Sequence, residues 1–402
     1  VLSPSRTDGS GDYYEITQRV ASAHIVPGVT TSIWGYNGIF PGPTIVSRSG
    51  RRTVITHRNE LPVPVSVHLH GGKMPPEHDG YPTDLINPAG TSNTSGHSGH
   101  GGATAPGSKE YVYPMDQAAA TLWYHDHRMD FTGPQVYRGL AGFHLIHDDA
   151  EHALGLPAGD HDIPLMIADR AFGADGSFRY PSADPSLLGS PGVTRDYVSG
   201  VLGDCILVNG APWPTLEVSA TRYRFRLLNA SNARRYRLTL DPPAAFIQIG
   251  SDLGLLARPV RHNAIEIAQA ERFDVIIDFS SFRPGTQITM RNTLGSGTTA
   301  NVMRFVVTRT AADPQPRPGQ ARRRGSPLSA PSRHRTADRL RPRRRRSPWH
   351  DLVDGQRQTL HHRHHHRPAQ ARHHREMDHP RPQRRAPVPH PPGRLPGSQR
   401  PG

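Results

Sequence analysis

The sequence predicts an all-β protein made of β-sandwiches, and two observations carry that expectation. Apolar runs are short and punctuated by turn residues, with 39 Gly and 40 Pro in 402 residues. The same texture recurs over residues 13–150 and again over 160–310, in a chain long enough for two or three domains. Short runs between turn signals favour sandwiches or barrels over helical bundles.

The first region offers strands at Arg52–His57, Val63–His70, Thr121–Tyr124 and Ala141–His147. Asn37-Gly38 and Pro41-Gly42-Pro43 mark turns between such runs. Residues 91–107 are rich in Gly, Ser and His and read as a surface loop. The second region continues with Ile163–Ala168, Ile206–Val208, Tyr223–Leu228, Ala245–Ile249, Ile265–Ile267, Phe273–Asp278 and Val302–Val307. It contains only two histidines, His161 and His262, so no metal cluster of its own is expected there.

Near residue 311 the texture breaks. From 321 onward Arg, His and Pro dominate, and Ile, Phe, Tyr, Lys, Asn and Cys are absent. Such a segment cannot bury a core and is expected to be disordered as written. It also explains the overall net charge of +14: residues 321–402 carry 21 Arg against 5 acids, whereas residues 1–320 carry 27 basic against 29 acidic side chains. No run of about 18 apolar residues exists, so no membrane-spanning helix is expected. Val1 is not followed by a basic-then-apolar leader; either a signal is removed or the start lies upstream. One cysteine excludes an intrachain disulfide and leaves compartment and oligomeric state open.

Two strings carry the chemistry: Val67-His68-Leu69-His70-Gly71-Gly72 and Trp123-Tyr124-His125-Asp126-His127. Each places histidines at i and i+2. On a strand, residues two apart share a face, so each string aims a pair of imidazoles at one spot. Neutral imidazole is a good ligand for copper, zinc and iron. One such pair alone can be two ordinary strand histidines; two pairs in one region point to a cluster of metal ions.

With their flanks, these motifs resemble the first two copper motifs of the three-domain multicopper oxidases. The flanks are Trp34-Gly35-Tyr36-Asn37-Gly38-Ile39-Phe40-Pro41-Gly42-Pro43-Thr44, Tyr137–Phe143 and, in the second region, Val208-Asn209-Gly210. The nearest branch is that of spore-coat laccases, phenoxazinone synthase and bilirubin oxidases, and the resemblance spans roughly 13–310. It implies tandem cupredoxin-like Greek-key β-sandwiches: a first domain over 1–150 with both motifs and a second over 160–310 without copper ligands. It implies copper as cofactor, with His68 on a type 2 ion, His70 on a type 3 ion, and His125 and His127 one on each type 3 ion. It assigns Asp79, eleven positions past His68, to proton delivery. Its plainer alternative is a turn residue before Gly80. The implied reaction is oxidation of a phenolic, aminophenolic or tetrapyrrole-like donor, or of a metal ion, with dioxygen reduced to water. The partners are dioxygen and that small-molecule donor, with no membrane.

The family needs two further motifs, H-x-x-H-x-H and H-C-H, in a third domain. Neither is present. Cys205, in Gly203-Asp204-Cys205-Ile206-Leu207, has no flanking histidine and reads as a small buried apolar residue, so a type 1 site is missing. The genetic code offers an explanation. Read one nucleotide later, Ala386–Gly397 permits His-Pro-Phe-His-Ile-His-Leu-Val-Asp-Phe-Gln-Val, which contains H-x-x-H-x-H. Gly355-Gln356-Arg357 likewise permits Val-Asn-Gly. The expectation is a frameshift near 311–325, making 311–402 an out-of-frame third cupredoxin domain and the chain as written inactive.

Three other readings stand beside it. Arg341–Arg346 could attract nucleic-acid phosphates, although stacking aromatics are lacking apart from Trp349. The tract His361–His366 and the loop histidines His97 and His100 could hold copper loosely in a storage or homeostasis protein. Taken literally, the chain is a non-catalytic, copper-binding cupredoxin remnant.

Overall fold

A computed structural model describes residues 1–91 and 103–311. Two double-layered β-structures follow one another along the chain. In the first, one sheet runs Arg6–Asp8, Gly11–Ala23, Thr53–Asn59, Ser108–Tyr113, with Thr31–Tyr36 also pairing to Gly11–Ala23. The facing sheet runs Ile45–Arg48, Ala141–His147, Ala120–Asp126, Val67–His70. Inward residues alternate along the strands and meet between the sheets, as Ile16, Ile55 and Tyr111 do with Val67, Leu69 and Leu122.

The second structure repeats the plan on a larger scale. A seven-stranded sheet includes Cys205–Val208, Asp162–Arg170, Arg222–Asn229 and Arg272–Asp278 in neighbouring order, and a five-stranded sheet covers it. Phe225, Phe279 and Phe305 pack at its centre with ring centroids 5.2–6.3 Å apart. Each of these four sheets mixes antiparallel neighbours with one parallel pair, such as Ile45–Arg48 beside Ala141–His147 and Asp162–Arg170 beside Arg222–Asn229. Parallel neighbours require crossovers rather than hairpins. The result is a cupredoxin-like pair of β-sandwiches, and no helix among the described residues is long and apolar enough to cross a membrane.

Two segments depart from expectation. The run Val63–His70 forms a strand only from Val67; Pro62 and Pro64 lack the N–H groups that a ladder needs. The 91–107 loop contains a short strand, Thr104–Pro106, parallel to Leu85–Asn87. Its histidines His97 and His100 lie outside the described residues, as do the Arg-rich and His-rich runs after 311.

The sandwiches meet across an ionic cluster. Arg224 and Arg226, on the second sandwich, bond to Glu151, Asp162 and Asp274, and Arg226 also donates to the Thr121 hydroxyl on the first. The two arginine side chains are 2% and 0% exposed. Burial alone would raise the Glu151 carboxyl. The His147 ring and the two guanidiniums outweigh burial and hold it down at about 2, below its ordinary 4.5. Asp274 is likewise lowered, against its own burial, by Arg224 and Arg226. Because the folded value is depressed, this stabilisation is fully present above about pH 4.5 and is lost as pH falls toward about 2. Thermal denaturation should therefore show the melting temperature dropping steeply between those limits, and E151Q should flatten the slope; an unchanged slope would remove Glu151 from this role.

Candidate metal centre

The site is built by strand register. Val67–His70 pairs antiparallel with Ala120–Asp126, His68 opposite His125 and His70 opposite Trp123. Directly opposed residues share a face. Val67 and Leu69 point into the core, so His68 and His70 point away from it, toward the His125 side chain. His127 lies just beyond the strand end, held there by its backbone N–H, which donates to Ser66 O at 2.7 Å.

All four rings converge. The His68 ring centroid lies 5.5 Å from His70, 5.5 Å from His125 and 5.1 Å from His127, and His125 lies 5.5 Å from His127. One nitrogen each of His68, His70 and His125 falls within 4.8 Å of the others, the one such group of metal-ligating side chains among the described residues. Cys205 belongs to no such group. It sits among Ile25, Ile33 and Leu207, and burial pushes its thiol up to about 11.

Orientation is fixed by the ring atoms not aimed at the centre. His68 Nδ1–H donates to the Asp79 carbonyl at 2.6 Å, and His125 Nδ1–H donates to the Asp126 carbonyl at 2.8 Å. Each bond leaves Nε2 as a lone pair, as a metal-bound histidine requires. His70 Nδ1 faces His125 Nε2 at 3.3 Å. The Trp123 ring stacks on His125 at 4.1 Å and on His70 at 5.5 Å. His127 Nδ1 is buried with no protein partner, an orphan that a bound cation can satisfy.

Burial keeps three of the rings neutral. Burial, joined by the charge of Arg272, lowers His70 to about 4. Burial lowers His125 far below its ordinary value and lowers His127 as well. Unprotonated imidazoles clustered this tightly form a donor set for copper or a similar borderline cation.

The Asp79 carboxylate lies 3.4 Å from His68 Nδ1, and its side chain is 43% exposed. Its turn is clamped on the His68 strand by Gly80, at φ +75°; a Cβ there would fall 1.9 Å from the Val67 carbonyl oxygen. Gly80→Ala should therefore push the Asp79 carbonyl off His68. The expected cost is about 1–3 kcal/mol of stability together with weakened copper binding. Chemical denaturation with a copper titration checks it, and wild-type behaviour in both would remove the clamp.

Sequence reasoning singled out the four histidines and Asp79, and the structure brings all five together. It missed Asp126, whose buried carboxylate accepts from the backbone N–H groups of Ser66 and Arg128 and so ties the two histidine strands at one end. Burial pushes that carboxyl up to about 7. Its place between His125 and His127 was the available signal.

Imidazoles gathered on neighbouring strands of a double β-sandwich define a metal-binding protein of cupredoxin type. Residues 19–151 match the family described as "Multicopper oxidase". A laccase from Bacillus stratosphericus is 42% identical over 343 residues, covering 77% of this chain and 64% of the laccase. A bilirubin oxidase from Albifimbria verrucaria is 35% identical over 340 residues, covering 80% and 54%. The crystal structure of a laccase from Pediococcus acidilactici superposes with a TM-score of 0.67 at 31% identity, covering 83% and 64%. Residues 19–151 thus carry the sequence pattern of the multicopper oxidase family, whose cofactor is copper, and the chain is similar to laccases in sequence and fold. It spans about 64% of the length of the Bacillus laccase.

Proposed function

We propose that this chain carries the oxygen-side copper ligands of a laccase-like oxidase. In this reading residues 1–150 and 160–310 are its first and second cupredoxin domains, and 311–402 is a third domain displaced from its reading frame. The observation that supports it is the convergence of four imidazoles, three of them held uncharged by burial. His68 serves a type 2 ion, His70 a type 3 ion, and His125 and His127 one type 3 ion each. Bound copper supplies the one-electron transfers that couple a phenolic or related donor to the reduction of dioxygen to water.

The chain's own residues do the rest. Asp79 and Asp126 carbonyls hold two rings in the tautomer that presents Nε2. Trp123 fixes the ring planes and keeps water from one side. Asp79, half exposed beside His68, can take a proton from solvent and hand it inward.

In this reading the 402-residue chain binds copper but consumes no oxygen with a phenolic donor, and the product of the frame-corrected gene does both. An oxygen electrode tests it. Oxygen uptake by the chain as written, or DNA that cannot encode H-x-x-H-x-H in the shifted frame, would overturn the frameshift reading. A copper-holding remnant without catalysis is the second reading, favoured by Cys205 lying in an apolar cluster apart from the imidazoles.

A further inference from the structure

We propose that Arg272, contributed by the second sandwich, is a positioning residue for the metal cluster: it braces the His70 end and biases the bound metal toward its lower charge. The proposal rests on the copper reading above.

The guanidinium is 2% exposed and almost wholly bonded to backbone. Nε donates to Thr121 O at 3.1 Å, Nη1 to Ala270 O at 2.7 Å and Nη2 to Asp252 O at 2.7 Å. Nη1 also lies 3.1 Å from the Asp252 carboxylate. Thr121 is two residues before Trp123 on the His125 strand, so the arginine is anchored to the strand whose ring stacks on His70 and His125.

From the other side it meets the residue after His70. Gly71 adopts φ +86°, and a Cβ there would lie 2.7 Å from Arg272 Nη2. No side chain fits between them. One planar fork with several fixed donors thus spans the ends of both histidine strands, which a lysine ammonium cannot do.

The charge has a second effect. A buried cation beside a metal site disfavours the more highly charged ion. The Asp252 carboxylate that pairs with it is 45% exposed and is therefore screened by water more than the arginine is. At His70 the arginine's charge therefore outweighs that of Asp252, and Cu(II) is penalised relative to Cu(I).

The test uses the 402-residue chain, with Cu(II) and Cu(I) affinities measured by competition with chelators. R272M should raise the Cu(II):Cu(I) affinity ratio about tenfold, which for a one-electron couple is about 59 mV of lowered potential. D252N, a change at a half-exposed side chain, should move the ratio the other way. R272K should keep the ratio within about twofold of wild type while changing the Cu(II) hyperfine splitting, because the charge stays and the fork is lost. If wild type binds copper and the ratio is unmoved in both R272M and D252N, the proposal fails and the copper reading stands. Equal loss of both affinities at constant ratio also overturns it. If R272M does not fold, D252N decides. If wild type binds no copper, both readings fall.

Discussion

Arg226→Met should lower the stability of the protein by about 3–5 kcal/mol, the usual result of removing one partner from a buried ionic cluster. Arg226 is fully buried and makes two short bonds to Asp162, at 2.8 and 2.7 Å. It also reaches Glu151 at 3.3 Å and the Thr121 hydroxyl at 3.0 Å. Without it, Glu151, Asp162 and Asp274 share Arg224 as the remaining guanidinium of the cluster. Because the cluster joins the sandwiches, the damage should spread to the His125 strand through Thr121. The control is Arg48→Met, whose partner Asp149 is 91% exposed; exposed pairs contribute between roughly 0 and 1 kcal/mol. Urea unfolding of both variants is the measurement. Equal, small losses would show that the cluster does not hold the sandwiches together.

That cluster marks the limit of what sequence patterning reveals. Arg222-Tyr223-Arg224-Phe225-Arg226-Leu227 alternates strictly, and the alternation correctly separates two faces: Tyr223, Phe225 and Leu227 enter the core. A period of two does not say what covers the other face. The arginine face of such a strand ordinarily meets water; here the first sandwich buries it. Acids distant in sequence, Glu151 and Asp274, make that burial tolerable. The same holds for Arg272, which looks like the polar start of an apolar run.

The metal centre was legible because its information is local. Two histidines at i and i+2 announce a shared face, and the pairing of one such strand with another needs only neighbouring position in a sheet. The turn at Asp79-Gly80 was equally readable, since Gly after Asp is a common turn signal. What packs against the rings was less so. Trp123 was visible within its motif, yet its stacking on His70 depends on the register between strands about fifty residues apart.

His125→Ala should have the larger effect on function. His125 is buried, uncharged and stacked on Trp123, and it lies next to each of the other three rings. In the proposed reading its loss removes a direct ligand. Copper affinity should fall by more than the roughly 10–100-fold expected for a supporting residue. The exposed His24→Ala is the control and should leave affinity unchanged. Far-ultraviolet circular dichroism distinguishes lost ligation from lost folding.

The most direct measurement is the number of coppers retained per chain by native mass spectrometry. It should be made on the wild type and on a variant with His68, His70, His125 and His127 all changed to Ala. The His-rich tract at 361–366 can bind copper loosely in both, so the comparison and not the absolute count decides. The wild type should retain at least one tightly held copper that the variant lacks. Equal copper in the two proteins would contradict it, because the converging imidazoles would then hold no metal.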